Sequence, residues 1–135
     1  MTDPHLGELL EASTTIAVVG ASANEKKAAN RIPRWLMKAG FTVIPVNPKA
    51  DEILGQKVYR SLAEIPVPVD IVDVFRPSEE AAGVAEQAAA IGAKTLWLQL
   101  EITSAEARAV AEAAGMNFVE DTCLGVVVNE LGITK

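Results

Sequence analysis

Histidine and cysteine, the side chains that most often carry acid–base, nucleophilic or metal chemistry, occur once each in 135 residues, as His5 and Cys123. One cysteine excludes an internal disulfide and offers no metal-ligand cluster, and a cytoplasmic protein is the plain expectation. With its one histidine beside the start of the chain, a histidine-based triad or a phosphohistidine mechanism is not expected. No histidine stands ready to activate Cys123, which reads as a small buried apolar residue. No apolar run reaches the length of a membrane span, and Met1–His5 lacks the basic and apolar regions of an export signal. Neither a membrane nor secretion is therefore expected. The glycine pattern G-x-G-x-x-G is missing, and so is an acidic residue at the end of the second strand-like run.

Half of the residues are apolar and the net charge is −6, which argues against nonspecific nucleic-acid binding. The distribution of charge says more than its sum. From Gly20 to Ala50 stand Lys26, Lys27, Arg31, Arg34, Lys38 and Lys49 against Glu25 alone, so this stretch carries +5 and the remainder −11. A positive region in an acidic chain suits a small polyanion better than a long nucleic-acid backbone. A solvated helix face is the plainer alternative.

Apolar runs alternate with helical patterns throughout, which predicts a Rossmann-like, three-layer α/β fold in a single domain spanning 1–135. Its centre is an open five-stranded parallel sheet with helices on both faces, wound by right-handed crossovers. The predicted strands are Thr14–Val19, Phe41–Val46, Val69–Phe75, Lys94–Leu100 and Asn117–Glu120. Asn30 is expected to cap a helix to about Ala39 that buries Ile32, Trp35, Leu36 and Ala39 at i, i+3, i+4 and i+7. Pro33 falls in its first turn and Gly40 ends it. Ser78 is expected to cap an alanine-rich helix to about Ile91, and Thr103 with Glu106 to form a capping box for a helix closed by Gly115. Ser61–Glu64 forms another such box, for a short helix inside the connection Asp51–Ile65. A short helix over Leu6–Ala12 is also expected. Val126–Val128 fits a strand or a packed tail.

In sheets of this kind ligands lie beyond the carboxyl ends of the strands, where the strand order reverses. One segment ending there is Gly20-Ala21-Ser22-Ala23-Asn24, a glycine and hydroxyl loop leading to a helix N-terminus, where backbone N–H groups receive anions. A simple strand-to-helix turn is its alternative. Asn47-Pro48-Lys49 stands where a dinucleotide-binding fold would grip a ribose with a carboxylate. A lysine there suits a ribose phosphate, as in coenzyme A or NADP, unless it is merely solvated. Phe75 and Arg76 can flank an adenine, or else finish the core and cover its edge. Asp70 and Asp73 lie three apart on one strand, on opposite faces, and cannot form a carboxylate pair. Trp97 is expected in the core. Nothing assembles a nucleophile, a base and an oxyanion hole.

Taken in order, the stretches Ala17–Ser22, Gly40–Lys49, Gly55 with Tyr59–Leu62, Asp70–Arg76 and Gly92–Leu100 resemble the small stand-alone CoA-binding proteins. They also resemble the N-terminal CoA-binding domain of the succinyl-CoA synthetase α subunit, over about Thr14–Leu124. The resemblance implies a Rossmann-like CoA-binding fold. It places the phosphate loop on Ser22, Ala23, Asn24 and Glu25 after Gly20, the CoA-binding lysine on Lys49, and the strand-end contact on Leu98, Gln99 and Leu100. The adenine-side segment falls on Val74, Phe75 and Arg76. The synthetase's catalytic histidine lies outside this domain and has no counterpart, so ligase activity is not implied. Two departures stand out: Glu101 replaces the family's usual glycine, and Gly125–Glu130 replaces a charged ending that contains a Glu-His pair.

The expectation is therefore a protein that binds coenzyme A or an acyl-CoA as its small-molecule ligand, without catalysis of its own. Lys26 or Arg34 would help Lys49 neutralise the phosphates. An NADP-dependent reductase and a regulatory or interaction module that keeps the fold without tight ligand binding are the rivals. A homo-oligomer, the acyl group and the pathway stay open.

Overall fold

The computed structural model describes residues 4–135; Met1–Asp3, read above for an export signal, lie outside them. The elements alternate as predicted. Helix α1 (Pro4–Glu11) precedes β1 (Thr15–Val19), α2 (Ala28–Lys38) and β2 (Thr42–Val46). A two-stranded hairpin, β3 (Glu52–Ile53) and β4 (Gln56–Lys57), and a 3-10 turn at Leu62–Glu64 lead to β5 (Ile71–Val74). Then come α3 (Ser78–Ala90), β6 (Thr95–Leu98), α4 (Ala105–Ala113), β7 (Asn117–Val119) and α5 (Leu124–Glu130).

The main sheet has five parallel strands in the order β2-β1-β5-β6-β7. The chain winds one way from β1 to β2 and the other way from β5 onward, so the order reverses between β1 and β5. Apolar runs without alternation form these strands because both faces are covered. Ile16, Val18, Ile71 and Trp97 face a core shared with Leu10 of α1, Ile32 and Leu36 of α2, and Leu124 and Val127 of α5. Ala17, Val72, Leu96 and Leu98 face the other core, built from the alanines of α3 and α4. The fold is thus the three-layer, Rossmann-like arrangement expected. Pro45 is tolerated in β2 because that strand is at the sheet edge. Asp70 works at the opposite end of the sheet from the ligand side: its Oδ2 accepts the N–H groups of Thr14 and Thr15 at 2.8 and 3.0 Å.

Several local expectations are corrected. Helix α2 starts two residues before Asn30, at Ala28, and Asn30 is buried inside its first turn rather than capping it. Trp35 is 49% exposed, not part of the buried stripe. Ser78 is the first residue of α3 and spends its hydroxyl on the Thr103 N–H instead of a cap (3.2 Å). Ser104, not Thr103, caps α4, accepting from Ala107 N–H at 3.0 Å. Ser61 makes no side-chain cap bond. The connection Asp51–Ile65 holds the β3–β4 hairpin, turned by Leu54 and Gly55, both at positive φ. Val126–Val128 are helical, in α5, which packs on α2 where Gly125 leaves room: a Cβ there would lie 3.1 Å from the Trp35 ring and 3.2 Å from Ile32.

Candidate nucleotide-binding site

The reversal of strand order brings together the loop after β1 and the segment after β5. Gly20 is at φ +89, and a Cβ on it would sit 2.9 Å from Arg76 Cδ and 3.0 Å from the Phe75 carbonyl oxygen. Only glycine combines that backbone with that approach. Its N–H donates to Val46 O at 3.0 Å, which ties the loop to β2 as well.

The loop is then folded back on α2 by a device that starts with Pro33. Lacking an N–H, Pro33 leaves the Ala29 carbonyl without its helical donor. The Ser22 N–H takes that carbonyl at 3.1 Å. The buried Asn30 side chain donates Nδ2 to Ser22 O at 2.8 Å, and Asn47 Nδ2 donates to Ala21 O at 2.9 Å. Two loop carbonyls are thereby held by side-chain amides. Ser22 Oγ accepts the Asn24 N–H and Asn24 Oδ1 accepts the Lys26 N–H, both at 3.0 Å. Among the described residues no acceptor reaches the N–H groups of Ala23, Ala28 and Ala29. What remains on offer is a set of backbone donors at the start of an 11-residue helix, the arrangement that suits phosphate oxygens.

Asn47 shapes the next segment too. Its Oδ1 accepts from the N–H groups of Lys49 and Ala50 at 2.7 and 2.9 Å, so one amide fixes both the Gly20 loop and the turn that carries Lys49. Pro48 and Lys49 are exposed, and among the described residues no acceptor engages the Lys49 ammonium. Arg60 closes the turn from outside, with Nη1 donating to the carbonyls of Asn47 (3.1 Å) and Ala50 and Nη2 paired with Asp51 at 2.7 Å. Lys26 is exposed on the loop, and Arg34 reaches back from α2 to Glu25 O at 3.4 Å. The sequence-predicted residues from Gly20 to Lys49 therefore converge on one end of the sheet.

The other predicted residues divide. Val74 and Leu98 are fully buried toward α3 and α4, so they offer only backbone at this end. Phe75 is half-buried and packs on the α2 side of the sheet. Arg76 is forked onto Glu80, Nε and Nη2 donating at 3.1 and 2.8 Å, and its stem walls the cleft beside Gly20. Gln99 is 4% exposed and Leu100 is 60% exposed. Glu101, the departure from glycine, does sit at a glycine-favouring φ of +70, steadied by its N–H donating to Asp121 Oδ1 at 2.7 Å.

Three structural residues of the site escaped the sequence reading. Asn30 was expected only as a cap, and Arg60 carries no local signal. Asp73 did have one, a charge within an otherwise apolar run. It is fully buried, accepts Gln99 Nε2, and burial pushes its carboxyl up from 3.8 to about 7. Cys123 is half-buried and free. Among the described residues there is no cluster of metal-ligating side chains and no helix long and apolar enough to cross a membrane.

A parallel sheet in this order, with a glycine loop leading to a helix N-terminus at the point of reversal, defines the class: doubly wound, Rossmann-like folds. Within it the chain belongs to the CoA binding domain family, whose model matches residues 14–129. It is 40% identical over 122 residues to the YneT protein of Bacillus subtilis (strain 168), covering 90% of each chain. It is 33% identical over 128 residues to the ADP-forming acetate–CoA ligase I of Archaeoglobus fulgidus, covering 87% of this chain but 19% of the ligase. The solved structure of a protein from Pyrococcus horikoshii OT3 superposes with a TM-score of 0.93 at 36% identity, covering 97% of this chain and 92% of that one.

Proposed function

We propose that this protein binds coenzyme A or an acyl-CoA across the carboxyl ends of β1, β2, β5 and β6, without catalysis of its own. The observation that carries the reading is the braced Gly20–Asn24 loop, whose Ala21 and Ser22 carbonyls are tied down by side-chain amides while N–H groups at the start of α2 stay unengaged. Those donors and the Ser22 hydroxyl hold the pyrophosphate. Lys49, on its Asn47-fixed turn, meets the ribose phosphate, and Lys26 and Arg34 add positive charge. Family membership supports the same ligand.

In this order the adenosine end lies toward β2 and the pantetheine arm runs toward β5 and β6. Phe75 and Arg76 wall the ligand beside Gly20, with Arg76 paired to the exposed Glu80 in this structure. A role in the cytoplasm fits the single free cysteine. Replacing Lys49 with Ala is expected to weaken CoA about tenfold, roughly 1.4 kcal/mol, in calorimetric titration, with the loss shrinking as salt is raised. Unchanged affinity would remove Lys49 from the site, and no binding of CoA by the wild type would favour a module that has kept the fold and lost the ligand.

A further inference from the structure

Gln99 follows β6 at the ligand end of the sheet, and its side chain lies on the same face as Trp97 and Asp73. Asp73 pairs in register with Val18 of β1 and Trp97 of β6, two residues below Gly20 and Gln99 respectively. It therefore sits directly under the point where the strand order reverses. Gln99 Nε2 donates to Asp73 Oδ1. Above about pH 7, where Asp73 is ionised, it offers only acceptors and so fixes which way the Gln99 amide faces: nitrogen down, oxygen away. The buried side-chain polar atoms that lack a partner among the described residues are Asp73 Oδ2 and Asn30 Oδ1. Gln99 Oε1 accepts no hydrogen bond from the described chain and is not one of them, so the little surface that Gln99 keeps includes that oxygen.

An acceptor with a set direction thus stands at the end of β6, two strands from the phosphate loop. Neighbouring strands lie about 4.8 Å apart, so the distance across is within reach of an extended arm leaving the pyrophosphate. We infer that Asp73 is a positioning residue which, through Gln99, presents Oε1 as a fixed acceptor for an amide N–H of the pantetheine arm. The inference rests on the CoA reading above and adds to it the recognition of the arm rather than the nucleotide. A buried carboxyl kept at this place, at the cost of its desolvation, then has a reason: an apolar residue there would leave the Gln99 amide free to flip.

The test compares two ligands, CoA and adenosine 3′,5′-bisphosphate, which shares the phosphates near the ribose but has no amide arm. Titrations are run above about pH 8, where Asp73 is ionised, on the wild type, Gln99→Leu, Asp73→Asn and the double variant, each checked for an intact fold by its melting curve. Gln99→Leu is expected to weaken CoA by about five- to tenfold and to leave the bisphosphate unchanged. Asp73→Asn, isosteric but able to donate as well as accept, is expected to weaken CoA about threefold with the bisphosphate again unchanged. The double variant is expected to match Gln99→Leu alone, because both changes act through one oxygen. Equal losses for both ligands, an Asp73→Asn variant that binds CoA like the wild type, or additive losses in the double variant would each overturn the inference while leaving the CoA reading standing. A wild type that binds the bisphosphate and not CoA, or neither, would overturn both.

Discussion

Asn30 and Asp73, both buried, and the half-buried Asn47 show how much a single polar side chain decides at this site. Each asparagine gives its amide nitrogen to a carbonyl of the Gly20–Asn24 loop, which turns a flexible glycine turn into a fixed array of donors. Asp73 is the costlier case, since burial holds its carboxyl at about 7 instead of 3.8. The folded protein therefore keeps this proton over a range where the unfolded chain has released it. Stability contributed through Asp73 is greatest below about pH 4 and falls as the pH rises toward 7, at no more than about 1.4 kcal/mol per pH unit. Asp73→Asn removes that dependence. Its melting temperature relative to the wild type is expected to climb between pH 4 and 7 and then level off; a difference constant across that range would contradict the account. Of these residues, Asn47 was legible beside Lys49 because a strand end in this fold is a ligand position. The role of Asn30 was not, because it depends on a loop eight residues earlier in the chain folding back over it.

At the scale of elements, the bond from Ser22 to Ala29 ties the loop to the helix, and it exists because Pro33 cannot donate. Pro33→Ala would restore an N–H that competes for the Ala29 carbonyl and loosens the loop. The expected outcome is a CoA affinity lower by about three- to fivefold, with a melting temperature unchanged or higher, since proline inside a helix is unfavourable. A melting temperature that falls together with affinity would show that Pro33 serves packing instead. The sequence marked Pro33 as harmless in a first turn, a reading tied to a helix start at Asn30. Starting α2 at Ala28 moves the proline one turn inward and makes its missing donor matter. Strand positions were legible because continuous apolar runs admit few alternatives in a sheet covered on both faces. Caps were less so: Ser78, Thr103 and Ser104 offer hydroxyls near two helix starts, and tertiary contacts choose among them. The tail was the least legible, since Val126–Val128 is β-branched yet helical, in an α5 that Gly125 lets settle closely on α2.

For the molecule as a whole, an acidic chain concentrates its positive charge in the segment that forms the Gly20–Asn24 loop, α2 and the Lys49 turn. A net charge of −6 repels long polyanions at a distance, while the local surplus and the oriented backbone donors suit a short one, as the proposed reading requires. The alternation of apolar runs and helical patterns was enough to reach the architecture, and the motifs in order were enough to reach the family. Which ligand occupies the cleft depends on contacts that strand patterns do not encode. The most direct test is a calorimetric titration of the wild-type protein with CoA, repeated in the presence of NADPH. The account predicts saturable heat with CoA, at micromolar to submillimolar concentration, that NADPH does not suppress. No heat with CoA at millimolar concentration, together with binding of NADPH, would contradict it.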